Sequence, residues 1–340
     1  MTESPTPTDL SPRPLGRTGL HVTPICVGCA PLADMPDTFG YGVPEEQARA
    51  ALRRVFDGPF NFLDTAAAYG DGESERRIGL VLRELGGIPP GFVVGTKADR
   101  DLATRDFSGD QARRSVERSL RLLGVDRLQL VFLHDPEYAV QPFEVITAPG
   151  GAVEALLRLK EQGVIQHVGI AGGPIDVLIR YVQTGSFEAV ITHNRYTLLH
   201  QGAARLFDVA SRAGVAVLNA APYASGLLAK GPAAYPRYAY HDAPPDVLDR
   251  ARRMAELCSE HGVSLAAAAL QFSLRDPRVD STIVGMSRAE RVDETLRLAT
   301  QPIPDALWPQ LEGLGGLAED PQSDPAAALR SAGRPASQHT

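Results

Sequence analysis

Four ionisable side chains of different types lie at or just after the ends of consecutive apolar segments, and together they suit proton transfer. They are Asp64 and Tyr69 in the string FLDTAAAYGDG, Lys97 in VVGTK, and His134 in VFLHDPE. A phenol or an imidazole can donate and accept a proton, and a neighbouring cation stabilises a phenolate. The pattern therefore predicts an acid–base site. Asp64 and Lys97 could equally form a buried ion pair without a catalytic role.

The segments that would position these groups are eight short apolar runs, each followed by a stretch with apolar residues at helical spacing. This alternation predicts βα units around a parallel sheet. We expect strands at 23–29, 61–66, 92–97, 128–134, 167–172, 189–194, 215–222 and 281–286. An open doubly wound sheet is the rival, but it requires a Gly-rich phosphate fingerprint after the first strand, and the sequence has none. We therefore predict a single (β/α)8 TIM barrel with its active site at the C-terminal mouth of the strands.

The composition argues against several classes of protein. Of the 340 residues, 44% are hydrophobic and 22% charged, which is ordinary for a globular chain with a large core. A net charge of -7 argues against nucleic-acid binding. The three cysteines cannot form a disulfide framework, and we find no apolar stretch of roughly 18 residues that could span a membrane. The N-terminus does not resemble a secretory signal, so we expect a cytoplasmic location.

The two ends of the chain differ in composition from the rest. Ser, Thr and Pro dominate the N-terminus, and Pro, Ala, Ser and Asp dominate the C-terminus, which is typical of flexible tails. We predict tails at 1–13 and 318–340 on either side of one domain at 14–317.

The quoted strings resemble the aldo-keto reductase family, and within it the bacterial aldose (L-fucose or D-threo-aldose) 1-dehydrogenase branch. The resemblance runs from Pro14 to about Leu317. It rests on PLGRTGLHVTPICVG, FLDTAAAYGDGESERRIG, VVGTK, LHDPE, NRYTLLHQGA, PYASGLL and PIPDALWPQLEGLGGL. It implies an NAD(P)-dependent oxidoreductase that transfers a hydride between nicotinamide and a sugar or another small carbonyl compound or alcohol, as a monomer or homo-oligomer.

The resemblance also implies a role for each of the four groups. Tyr69 would be the general acid and base at the carbonyl oxygen. Lys97 would lower the pKa of this phenol, and Asp64 would hold the lysine charged and oriented. His134 would donate a hydrogen bond to the substrate oxygen.

The cofactor would lie across the ends of the later strands. The implied cofactor-binding residues are Ala171, Gly172, Asn194, Pro222, Tyr223, Ser225, Gly226, Gly285, Ser287, Arg288, Arg291 and Glu294. Many relatives place a Ser-Asn pair where this chain has Ala171 and Gly172, so those side-chain hydrogen bonds are lost or supplied elsewhere. Arg288 or Arg291 could pair with a 2′-phosphate. The cofactor is NADP or NAD, with NADP slightly favoured.

Several alternatives remain open on the sequence. The protein could instead be a pyridoxal-type dehydrogenase or a carbonyl reductase of a sugar pathway. Rivals from other classes are a nucleotide-binding regulatory subunit without turnover and a barrel hydrolase or lyase. Tyr235, Tyr238 and Tyr240 could stack on a sugar ring or simply pack a surface loop. We interpret the CxxC pair Cys26 and Cys29 as buried apolar residues, and we predict no metal site.

Overall fold

Eight parallel strands close into a barrel in a computed structural model that describes residues 9–317 and 319–321. The barrel order is β12-β3-β4-β5-β6-β7-β8-β9, so sequence neighbours are also neighbours in the sheet. The strands are β1 (Arg13–Pro14), β2 (His21–Val22), β3 (Ile25–Gly28), β4 (Phe62–Asp64), β5 (Val93–Ala98), β6 (Leu128–His134), β7 (Ile165–Gly172), β8 (Ala189–His193), β9 (Ala216–Ala220), β10 (Arg237–Tyr238), β11 (His241–Asp242) and β12 (Ser281–Gly285). The predicted TIM barrel is confirmed, and each of the eight predicted strands overlaps one barrel strand.

Helices surround the barrel and connect its strands. They are α1 (Pro36–Phe39), α2 (Glu45–Phe56), α3 (Glu73–Leu85), α4 (Gly109–Leu123), α5 (Phe143–Thr147), α6 (Ala152–Glu161), α7 (Ile175–Gln183), α8 (Ala204–Ala213), α9 (Leu227–Lys230), α10 (Pro245–Glu260), α11 (Leu265–Leu274), α12 (Glu290–Thr300) and α13 (Leu307–Gly313). Gly124 and Gly214 end α4 and α8 in the left-handed conformation, as expected for a turn into the next strand. In the part of the chain that the structure describes, no helix is long and apolar enough to cross a membrane.

Two layers of apolar side chains form the core because neighbouring residues of a strand point to opposite faces. On β6, Leu130 and Phe132 fill the barrel interior, whereas Val131 and Leu133 pack under the helices. The same alternation on β8 directs Ile191 inward and therefore also directs His193, two residues later, towards the mouth. Strand register thus decides which polar residues reach the site.

A short hairpin of β1 and β2 precedes the barrel and is fixed to it. Arg13 donates hydrogen bonds from Nε to the carbonyl of Asp280 at 2.9 Å and from Nη2 to the carbonyl of Val279 at 2.9 Å. Arg13 is therefore anchored, although the sequence assigned it to the N-terminal tail. Residues 1–8, 318 and 322–340 of the predicted tails lie outside the described residues. At the other end, Asp320 pairs with Arg195 in two hydrogen bonds of 2.7 and 2.8 Å.

Candidate active site

A buried lysine connects the first three predicted groups. Lys97 Nζ donates hydrogen bonds to Asp64 Oδ2 at 2.7 Å, to the carbonyl of Thr65 at 2.7 Å and to Tyr69 Oη at 3.1 Å. Asp64 ends β4 and Lys97 lies on the neighbouring β5, and both point into the mouth with only 3% and 2% of their surface exposed. The phenol oxygen is thus within hydrogen-bonding distance of a buried cation.

The loop after β4 places Tyr69 over the lysine. A close turn forms there because Gly70 takes a φ of +58°, and a Cβ at this position would lie 2.5 Å from the carbonyl oxygen of Ala33. The Thr65 hydroxyl donates to Ser74 Oγ at 2.8 Å and ties the start of the loop to α3. Only glycine permits this close approach to Ala33, so the turn at Gly70 helps to fix the position of Tyr69 in the mouth.

His134, at the end of β6, completes the group from the strand next to β5. Its ring lies edge-on to the ring of Tyr69 with centroids 6.0 Å apart. Nδ1 is 2.6 Å from Asp99 Oδ1, and Nε2 is 3.7 Å from Asp135 Oδ1. The structure therefore brings all four predicted residues together and adds two carboxylates that the sequence reasoning missed.

The position of Asp99 in the sequence could have identified it as a residue of the site. It follows β5 directly, just as the other polar residues follow their strands, and applying the same rule to ADRD would have included it. Its second oxygen, Oδ2, accepts the backbone N–H of Ala68 at 2.7 Å. This bond joins the loop that carries Tyr69 to the carboxylate that holds His134.

Burial and charge set the protonation of the two central groups. Burial alone lowers the pKa of Lys97, but the Asp64 carboxylate and the Tyr69 oxygen outweigh it and the net pKa is raised. The lysine is therefore charged. Burial raises the pKa of Tyr69 above its ordinary value near 10, and the Lys97 ammonium opposes this rise only in part. Our expectation of a lowered phenol pKa is wrong, because the loss of solvent exceeds the stabilisation by one cation.

Two loops cover the mouth and explain this burial. The hairpin of β10 and β11 places Ala239 and Tyr240 at its tip with φ of +47° and +72°, as a tight hairpin turn requires. The Tyr240 hydroxyl faces the side chains of Ser225 and Asn194, and its ring lies edge-on to Phe39 at 6.4 Å. Of the three loop tyrosines, Tyr240 is therefore the one that reaches into the mouth.

The other two loop tyrosines pack the hairpin. The ring of Tyr235 lies 4.1 Å from Lys230 Nζ, and its hydroxyl donates to the carbonyl of Phe39 at 3.3 Å. Tyr238 is 7% exposed and belongs to the core. These two residues hold the cover in place.

Comparison with known proteins identifies the family of the chain. A model of the Aldo/keto reductase family matches residues 24–315. The chain is an aldo-keto reductase. It is 32% identical over 293 residues to the D-threo-aldose 1-dehydrogenase of a Pseudomonas species, covering 78% of this chain and 87% of that protein. It is 30% identical over 298 residues to the L-galactose dehydrogenase of Arabidopsis thaliana, covering 86% and 89%.

A solved structure supports the fold. The holo form of an aldo-keto reductase from Bacillus halodurans superposes with a TM-score of 0.74 at 22% identity, covering 92% of this chain and 100% of that one. Members of the family use NAD(P)H and act on small carbonyl compounds. This aldo-keto reductase is accordingly an NAD(P)-dependent oxidoreductase.

The loops after β8 and β9 offer polar groups that fit such a cofactor. Asn194 is fully buried at a φ of +58°, its Oδ1 accepts from Ser225 Oγ at 3.0 Å, and its Nδ2 has no hydrogen-bond partner among the described residues. Tyr223 is 9% exposed, and its hydroxyl also has no partner among them. Buried polar atoms without partners are costly unless a ligand satisfies them.

The backbone of this aldo-keto reductase is unusual in the segment that follows Pro222. Ala224, Ser225 and Gly226 all have positive φ values, of +50°, +60° and +110°. Successive residues in such conformations form concave sites lined by backbone N–H groups, which suit phosphate oxygens. In this segment the N–H groups of Ala224 and Gly226 already donate to the carbonyls of Ala221 and Tyr223, both at 3.0 Å, so these two groups are not available to a pyrophosphate.

The end of β7 lacks side chains that could bind an amide. Ala171 faces the barrel interior, and a Cβ on Gly172 would lie 2.9 Å from Glu137 Oε2. Glu137 Oε1 accepts the backbone N–H of Gly173 at 2.7 Å, so the Glu137 carboxyl fills the space beside the glycines. Ala171 and Gly172 can contact a cofactor only through backbone hydrogen bonds and van der Waals packing.

The predicted adenosine end forms a turn into α12. Gly285 ends β12, and Ser287 accepts a hydrogen bond from Gln47 Nε2 through its carbonyl at 2.8 Å. Arg288 and Arg291 lie 3.3 and 2.5 Å from the carboxylate of Glu294. Burial lowers the pKa of Lys230, and the nearby positive charges of Arg291 and Arg288 lower it further. A cofactor phosphate at this edge would meet three cations.

In the part of the chain that the structure describes, neither the cysteines nor the histidines form a second site. Burial raises the pKa of both Cys26 and Cys29, so the two thiols stay protonated. His167 pairs with Glu188 at 2.9 Å. Among the described residues, no group of three or more His, Cys, Asp or Glu side chains could hold a metal ion.

Proposed function

We propose that this enzyme is an NAD(P)-dependent aldose 1-dehydrogenase that oxidises a sugar at its anomeric carbon. The observation that carries the proposal is the contact of Tyr69 Oη with the buried, charged Lys97 at 3.1 Å, with the His134 ring 6.0 Å from the ring of Tyr69. The similarity to two sugar dehydrogenases supports a sugar as substrate. Atoms balance if the aldose loses the C1 hydrogen with its electron pair and the hydroxyl loses a proton, which gives the lactone, NAD(P)H and one proton.

The residues of the mouth bind and orient the oxygen on the reacting carbon. Tyr69 exchanges a proton with that oxygen: the neutral phenol donates it in reduction, whereas in oxidation the phenol first gives up its own proton and the phenolate beside Lys97 then accepts one. Lys97 donates to the phenol oxygen and limits the cost of negative charge there, and Asp64 keeps the lysine in place. The His134 ring faces the same oxygen and orients it. When bound, nicotinamide accepts or supplies the hydride at its ring.

We assign the cofactor to the side of the mouth formed by the later strands. Asn194 Nδ2 and the Tyr223 hydroxyl would contact nicotinamide, and the turn that contains Ser225 and Gly226 would lie beside the pyrophosphate. The cations Arg288 and Arg291 favour NADP, since a 2′-phosphate would replace Glu294 as the anionic partner of their guanidinium groups. Glu294 would meet the adenosine end beside them.

Fluorescence titration followed by a substrate screen tests this proposal. We expect saturable binding of both NADPH and NADH, tighter for NADPH, and absorbance at 340 nm that appears only with aldoses whose anomeric hydroxyl is free. The 1-O-methyl glycosides of the same sugars are matched controls, because they retain every other hydroxyl. Equal turnover of the glycosides, or turnover of pyridoxal alone, would exclude an aldose 1-dehydrogenase.

The raised pKa of Tyr69 predicts that the phenol stays neutral throughout the physiological range. A phenol with a raised pKa is protonated at every pH below its ordinary value, so it is present as a proton donor. We expect the absorbance of the wild type minus that of Tyr69→Phe to show no phenolate at 295 nm below about pH 10. A full equivalent of phenolate appearing near neutral pH would show that Lys97 outweighs burial.

A further inference from the structure

The carboxylate of Asp99 holds the His134 ring from behind. Asp99 is 3% exposed, and its Oδ1 lies 2.6 Å from His134 Nδ1. Its Oδ2 accepts the backbone N–H of Ala68, and its own backbone N–H donates to Ser115 Oγ at 2.9 Å. Both carboxylate oxygens are therefore used, and the group is fixed between the loop of Tyr69 and α4.

This arrangement decides which ring nitrogen carries the proton. An ionised carboxylate only accepts hydrogen bonds, so Nδ1 must be protonated to bond Asp99. Nε2 is then left facing the mouth, where it can donate to a substrate oxygen only if the ring carries a second proton. We propose that Asp99 is a positioning residue of the proposed reaction: it keeps His134 as an imidazolium whose Nε2–H points towards the substrate oxygen.

The other charges around the ring support the same state. The groups that face His134 are Asp64, Lys97, Asp99, Asp135, Glu137 and His193, together with the ring of Tyr69. Burial and Lys97 disfavour a second positive charge, but Asp135 and Asp99 outweigh them and raise the pKa of His134. Asp135 contributes from the mouth side, 3.7 Å from Nε2, and its backbone φ of +47° directs it there.

An NMR titration of the histidine side chains tests the inference without any substrate. In the wild type we expect His134 to titrate above the ordinary value of about 6.5 and to carry its remaining proton on Nδ1. Asp99→Asn removes the nearest negative charge, and we expect the titration to fall by about one to three pH units. The pH above which kcat/KM for carbonyl reduction declines should move in the same direction.

Glu188→Gln is the matched control, because it neutralises the carboxylate of another histidine pair, that of His167, remote from the mouth. We expect it to leave the His134 titration and the activity unchanged. An unchanged His134 titration in Asp99→Asn would overturn the inference. So would a wild-type ring with its remaining proton on Nε2, a result that needs no variant to fold.

The aldose dehydrogenase activity and the role of Asp99 towards His134 can be rejected by different results. The inference rests on the proposed function only for the identity of the oxygen that Nε2–H faces. A wild type in which His134 titrates as expected but no aldose is oxidised would reject the aldose dehydrogenase and leave the role of Asp99 towards His134 intact.

Discussion

Replacing Tyr69 by Phe is expected to remove turnover while the enzyme still binds its cofactor. The change deletes one oxygen, the atom 3.1 Å from Lys97 Nζ, and leaves the ring and its edge-on contact with His134. Loss of a positioned acid–base group costs about 10²- to 10⁴-fold, so we expect kcat/KM to fall by about 10³-fold or more. The dissociation constant for NADPH should hardly change, because the proposed cofactor contacts lie on the later strands.

The matched control is Tyr181→Phe. Tyr181 is a buried tyrosine of α7 that packs against Phe143 and Phe187 outside the barrel. Both variants lose one hydroxyl, but only one of them loses it at the mouth. Turnover that persists in Tyr69→Phe at the level of the control would reject the proposed role of the tyrosine.

The second large effect is expected from the buried pair of Asp64 and Lys97. Lys97→Met leaves a buried carboxylate without its cation, and Asp64→Asn leaves a buried ammonium without its anion. Breaking a buried pair in this way costs about 3 to 5 kcal/mol in the free energy of unfolding. The double variant buries no unpaired charge, so we expect it to be more stable than either single variant.

The double variant should therefore regain stability but not activity. Without Lys97 the phenol loses the cation that donates a hydrogen bond to its oxygen, so the double variant should lose about 10²-fold or more in kcat despite its recovered stability. Urea denaturation and steady-state kinetics on all four proteins make this a double-mutant cycle. Additive losses of stability in the double variant would mean that the two charges do not compensate each other.

The barrel and the four central residues could be predicted from the sequence because one rule governs both. Parallel strands that are buried on both faces are apolar throughout, and their C-terminal ends meet at one mouth. Asp64, Lys97 and His134 each end an apolar run and therefore had to converge. Tyr69 follows Asp64 by only five residues, so the loop could not carry it far.

Other features of the site depend on distant parts of the chain and could not be predicted in the same way. The raised pKa of Tyr69 arises from burial under a cover that includes Phe39 and Tyr240, which are far apart in sequence. The Glu137 carboxyl beside Gly172 joins two strand ends whose register no local pattern reveals. The pairing of Asp99 with His134 depends likewise on where β5 and β6 stop.

Transfer of deuterium from the anomeric carbon tests the central claim most directly. The enzyme is incubated with NADP⁺ and an aldose that carries deuterium only at C1, and the reduced cofactor is then analysed by mass spectrometry and NMR. Hydride transfer from the anomeric carbon predicts one deuterium at C4 of the nicotinamide, one equivalent of lactone, and no label when deuterium is placed at C2. An unlabelled reduced cofactor, or label that arrives from C2, would contradict oxidation at the anomeric carbon.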